Sequence, residues 1–123
     1  MKKKFAVGLL IVLAECSASF ASCTIQPYRY FFGSDTSTTG TVTGGSTCTT
    51  KPGALRGAGL AEIKISEPAK HGVASTNGSV SYPEVTYKPK AGYKGPDDFV
   101  FAITGGGARL QGTSKIHVTM DVQ

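Results

Sequence analysis

Residues 115–122 read Lys-Ile-His-Val-Thr-Met-Asp-Val, and this strict alternation constrains the fold more than any other feature of the chain. Ile116, Val118, Met120 and Val122 fall on one face, and Lys115, His117, Thr119 and Asp121 on the other. That is the period of a strand with one wet face. Residues 60–65 repeat it, with Ile63 and Ile65 inward and Glu62 and Lys64 outward. Phe99-Val100-Phe101-Ala102-Ile103 is apolar on both faces, as suits a central strand. Val85 and Tyr87 mark a further strand, and the Tyr-rich stretch from Ile25 to Phe32 marks the first. After the apolar N-terminal run, no helical stripe appears along the chain.

Turn chemistry separates these runs. Gly105-Gly106-Gly107 reads as the hairpin turn between the central strand and the last. Asn77-Gly78 carries a type I′ signal between Val73-Ala74-Ser75 and the strand around Val85. Residues 33–59 are rich in Gly, Ser and Thr and read as loops holding one or two short edge strands, with Thr39 to Thr43 as a candidate. Short strands at regular spacing in about 100 residues predict an all-β protein, a Greek-key β-sandwich of about seven strands.

The N-terminus reads as an export signal. Lys2, Lys3 and Lys4 precede an apolar run from Phe5 to Ala14, which is shorter than the roughly 20 residues a spanning helix needs. Ser19-Phe20-Ala21 predicts cleavage after Ala21, with Ala18 as the other position. The expected mature chain, residues 22–123, is one domain with no membrane span, periplasmic or secreted. Ten Lys or Arg then remain against seven Asp or Glu, a net charge of about +3. The basic residues are scattered singly along the sequence, unlike the clustered footprint of a nucleic-acid binder. Cys16 leaves with the signal, so Cys23 and Cys48 form an even pair in an oxidising compartment, and a disulfide is expected. Lipidation of Cys23 is the alternative, although Phe20-Ala21-Ser22-Cys23 has Phe where a lipobox usually has Leu.

Glu67-Pro68-Ala69-Lys70-His71-Gly72-Val73 is followed by Val85-Thr86-Tyr87-Lys88-Pro89, Gly92-Tyr93-Lys94-Gly95 and Asp97-Asp98-Phe99-Val100-Phe101. This ordered series resembles the bacterial Ig-like and cadherin-like repeat family, whose members read "P-x-H-G-x-V … V-x-Y-x-P-x-x-G-Y-x-G-x-D-x-F-x-Y". The resemblance covers residues 63–122. It departs at Phe101, where Tyr is common, and at Pro96 after the second Gly. It implies an Ig-like sandwich. The residues agree with a structural corner made by Tyr87, Pro89, Gly92, Tyr93, Gly95, Asp97 and Phe99. Pro89 ends a strand or lies at its edge for want of an N–H. Gly92 and Gly95 permit positive φ in a tight connection. Tyr93 is placed to bond backbone through its hydroxyl, like a tyrosine corner, and Asp97 to accept loop N–H groups.

The chemistry of an enzyme is not legible in this chain, and no cofactor is expected. His71, His117, Asp97 and the serines contain no G-x-S-x-G elbow. Gly105-Gly106-Gly107 and Gly57-Ala58-Gly59 fit no phosphate-binding loop. Calcium, which cadherin-like relatives often use, would draw on Asp97 and Asp98, with Glu84 or Asp35, too few for its six to eight oxygens. The expected function is therefore a non-enzymatic exported module that contacts an envelope or extracellular protein or polysaccharide, or itself. A small periplasmic inhibitor or accessory factor of an enzyme is the alternative, and a calcium-dependent adhesion domain a third. Tyr28, Tyr30, Phe31 and Phe32 are the candidate contact surface, since four aromatics in five residues cannot all face one side of a strand.

Overall fold

The computed structural model describes residues 22–43, 45–52, 60–106 and 111–123. The expected signal segment, Gly57-Ala58-Gly59 and Gly107 lie outside the described residues. Eight strands are present in them, against the seven or so expected, and no helix. They are β1 (Ser22–Ile25), β2 (Thr36–Thr43), β3 (Cys48–Thr50), β4 (Leu60–Glu67), β5 (Gly72–Thr76), β6 (Val85–Pro89), β7 (Gly95–Gly106) and β8 (Gln111–Val122). The larger sheet has the order β1-β2-β8-β7-β4, and the smaller β3-β6-β5. All neighbours are antiparallel except β2 and β8.

The two sheets bury their alternating inner residues against each other. From the larger sheet come Val42, Ile63, Phe99, Phe101, Ile103, Ile116, Val118, Met120 and Val122; from the smaller come Cys48, Val85 and Tyr87. Tyr87 and Phe99 stack across the interior, with ring centroids 5.5 Å apart. Each such side chain withdraws enough apolar surface from water to contribute about 1.5–3 kcal/mol. The Cys23–Cys48 disulfide joins β1 to β3, and so one sheet to the other, with Cα atoms 5.4 Å apart. The buried hydroxyls are satisfied locally: Thr38 donates to the Gln26 carbonyl and Ser114 to that of Ser34. The protein is thus an all-β sandwich with a clean alternation on β8, as its sequence predicts.

Four local expectations are corrected. The first strand is Ser22–Ile25, not Ile25 to Phe32. Gln26 makes one last bond to Thr39, Pro27 offers no N–H, and the aromatic stretch then leaves the ladder to pack on the core. The Thr39–Thr43 candidate extends to Thr36–Thr43 and is internal, bonded to β1 on one side and to β8 on the other. Its inward face is Thr38, Gly40 and Val42, so only one apolar residue betrays its period. Gly105 and Gly106 lie inside β7, paired with Gly112 and Gln111, rather than in the turn. A Cβ on Gly106 would sit 3.1 Å from the Ala61 Cβ, and glycine lets β4 and β7 close at that point. Asn77-Gly78 begins a longer connection than the expected two-residue turn. The Asn77 carboxamide accepts the Ser79 and Glu84 N–H groups and donates to the Tyr82 carbonyl, so one side chain substitutes for several backbone bonds.

Candidate functional site: a buried-carboxylate corner and a basic groove

Alternation along β7 turns Asp97 inward with Phe99, Phe101 and Ile103, at the rim of the core. It is 3 % exposed. A buried carboxylate is tolerated only when donors surround it, and here four do. Oδ1 accepts the Lys70 and Asp98 backbone N–H groups, both at 2.9 Å. Oδ2 accepts the His71 N–H at 3.1 Å and the Tyr87 hydroxyl at 2.7 Å. Burial pushes the Asp97 carboxyl up, but the bonds from Tyr87, Lys70, Asp98 and His71 outweigh it and hold the group below its ordinary range. The Tyr87 phenol moves the other way, raised by burial and by its bond to the carboxylate.

The same carboxylate therefore fixes the chain entering β5 to the start of β7. Its neighbours complete the corner. Tyr93 donates its hydroxyl to the Pro96 carbonyl, and its ring lies flat on His71, with centroids 4.2 Å apart. Gly95 adopts φ +131°, with the Tyr93 hydroxyl close against it. Gly72 packs so tightly on β6 that a Cβ would lie 2.5 Å from the Lys88 carbonyl oxygen. Pro89 is buried at the end of β6, and Gly92 turns the connection with φ +82°.

An open groove of about 430 Å³ lies on the outside of this corner, lined by Lys70, His71, Gly72, Val73, Lys88, Pro89, Lys90 and Ala91. The β5–β6 register produces it, because Val73 stands opposite Lys88 and the Lys90 N–H bonds the His71 carbonyl. Lys70 thus comes beside Lys88 and Lys90, from which it is distant in the sequence. Lys70 pairs with Asp98 at 3.1 Å, and both are exposed. Among the described residues no carboxylate pairs with Lys88 or Lys90. Val73 adds apolar surface at 66 % exposure. This convergence is the part of the site that sequence reasoning missed, and pairing the two strands is the signal that finds it.

Comparison of the chain with protein-family models, with curated proteins and with solved structures found no match.

The aromatic candidates separate. Tyr30 is buried, and Tyr28 and Phe32 pack against the core from its margin. The Tyr28 ring meets Phe101 edge-on at 6.2 Å, and its hydroxyl lies 3.0 Å from that of Thr50. Burial raises the phenols of Tyr28 and Tyr30. Phe31 alone of the four is exposed, at 60 %. The weak calcium candidates are otherwise engaged: Asp97 holds its four donors, Asp98 faces Lys70, Asp35 accepts the Lys115 N–H, and Glu84 lies 3.9 Å from Lys51. Among the described residues no three His, Cys, Asp or Glu side chains gather as a metal site. His71 opens the smaller sheet while His117 stands on the outer face of the larger one, so they do not meet.

Proposed function

We propose that the chain is an exported, non-enzymatic binding module of Ig-like, Greek-key architecture, acting in the cell envelope or outside the cell. Two observations support the architecture. The orders β1-β2-β8-β7-β4 and β3-β6-β5 send the chain across to the other sheet between β2 and β3, β3 and β4, β4 and β5, and β6 and β7. Inside the larger sheet, β2 pairs parallel with β8 beside the β7–β8 hairpin. The cross-sheet disulfide fits an oxidising compartment. Among the described residues no helix is long and apolar enough to cross a membrane.

The observation that carries the binding reading is the groove beside Asp97. A carboxylate with four donors holds the backbone of Lys70 and His71 in place, and Lys88 and Lys90, which pair with no carboxylate among the described residues, face solvent beside an exposed Val73. A fixed surface of this kind binds without first paying to order its loops. The test is crosslinking of residues 22–123, disulfide intact, with envelope and culture fractions of the source, read by mass spectrometry and by stoichiometry at low and high salt. The reading expects capture that weakens with salt. One enzyme captured in equal amount at both salts would instead make the chain an inhibitor. Failure to capture anything at either salt overturns the proposal.

A further inference from the structure

Among the described residues the sandwich has four sheet edges, and three of them are protected. β4 carries two register shifts together with Glu62 and Lys64. β1 is four residues long, tied at Cys23 and followed closely by Pro27. β3 has three residues and is followed by Pro52. Bulges, charge, proline and shortness are the usual ways to prevent strand pairing at an edge. β5, Gly72-Val73-Ala74-Ser75-Thr76, has no charge, no proline and no bulge.

The direction of its free hydrogen-bonding groups follows from the register. The Lys90 N–H bonds the His71 carbonyl at 2.8 Å, and the Asn77 N–H bonds the Glu84 carbonyl at 3.2 Å. Bonded and non-bonded pairs alternate in an antiparallel ladder. Between these two bonds, Val73 and Ser75 therefore turn their backbone groups toward β6, while Gly72, Ala74 and Thr76 turn theirs to the open side. The pairing Gly72–Pro89 obeys the same rule, since the missing Pro89 N–H falls where no ladder bond is required. Among the described residues no strand pairs with β5 on that open side.

We infer that β5 takes an extended, acidic polypeptide segment as a fourth strand of the smaller sheet. This inference rests on the binding-module reading and names the partner of the same surface. Main-chain bonds to Gly72, Ala74 and Thr76 supply the pairing, and the partner's carboxylates reach Lys88 and Lys90 in the adjoining groove. Charge decides the occupant. A second copy of this chain carries its carboxylates singly or as Asp97-Asp98, so it offers no acidic strand. A polyanionic polysaccharide satisfies the lysines but leaves the strand's backbone groups unused.

The experiment titrates residues 22–123 with a blocked peptide alternating Glu and Thr, and in parallel with polygalacturonate, followed by backbone amide NMR. The inference expects the peptide to bind, the Gly72, Ala74 and Thr76 amides to shift and slow their exchange, and affinity to fall with salt. Ala74→Pro is the sharp variant. It deletes an N–H that faces the open edge, where proline is tolerated, and should weaken the peptide about tenfold or more at nearly unchanged melting temperature. Ser75→Pro breaks the ladder to Thr86 and is the destabilised control. Peptide binding indifferent to Ala74→Pro overturns strand addition. Polygalacturonate binding in place of the peptide overturns it too, while leaving the binding-module reading standing. Dimerisation through β5 without either probe makes the partner a second copy, and binding of neither probe removes the inference.

Discussion

The β7–β8 hairpin and strand β5 belong to one sandwich but are built to opposite rules. β7 and β8 pair through twelve consecutive positions without a break, β7 has partners on both sides, and Phe99, Phe101, Ile116 and Val118 are sealed in the interior. β5 has five residues, one partner strand and an exposed valine. Asp97 is the joint between the two regions, since it lies on β7 and holds the backbone leading into β5. On the proposed reading, stability and recognition fall to separate strands. Substitutions on the closed side should unfold the protein, and those on the open side should alter binding alone.

The largest effect tests the closed side. Phe101→Ala removes a fully buried ring from the middle of β7 and should cost about 3–5 kcal/mol, measured by urea denaturation. A loss below about 1 kcal/mol would break the contrast. At the joint, Asp97→Asn presents an amide to donors that need an acceptor, with an expected loss of about 3 kcal/mol. Amide exchange at Lys70 and His71 should rise with it. Slow exchange there would show that the corner holds without its carboxylate. Replacing Cys23 and Cys48 together by Ala frees a loop spanning 25 residues and should cost about 3 kcal/mol in the chain-entropy model. That cost should appear in denaturation with the outer face of β5 unaltered.

Asp97 and Tyr87 also set the pH limits. Because the Asp97 carboxyl is held below its unfolded value, its stabilisation is present above about pH 4 and is lost as pH falls through the folded value. Tyr87 is raised, so its stabilisation is complete below about pH 10 and declines as pH rises beyond that. Melting temperature should therefore fall at both extremes. Asp97→Asn should flatten the acid limb, and Tyr87→Phe the alkaline one. An acid limb unchanged in Asp97→Asn would remove Asp97 from the account of acid stability.

How much of this was legible in the sequence follows from the same contrast. β8 is readable because Ile116, Val118, Met120 and Val122 alternate with polar residues, and β7 because Phe99 to Ile103 are all apolar. The two-sheet, all-β class followed from those strands and the scarcity of helical patterning. β2 was only half visible, since Thr38 and Gly40 occupy inward positions where apolar residues would signal a strand. The aromatic run at Tyr28 to Phe32 misled in the other direction: its β propensity is high, but its rings are used to cover the core edge from a loop. Asp97 could be read as a loop acceptor. Its bond to Tyr87 could not, since it joins residues on strands of different sheets. Lys88 and Lys90 are two positions apart in the sequence, but the groove was illegible because only the β5–β6 register brings Lys70, His71 and Val73 beside them.

The smallest expected effect on stability carries the most weight for function. Lys88→Glu with Lys90→Glu changes two exposed side chains that have no ion-pair partner among the described residues, and should move stability by no more than about 0.5 kcal/mol. The decisive measurement is capture of the partner by this double variant beside the unaltered protein at low salt, with melting temperature recorded for both. Equal melting temperatures are expected, with capture lost in the variant. Equal capture by both proteins would contradict it and move the binding surface away from β5.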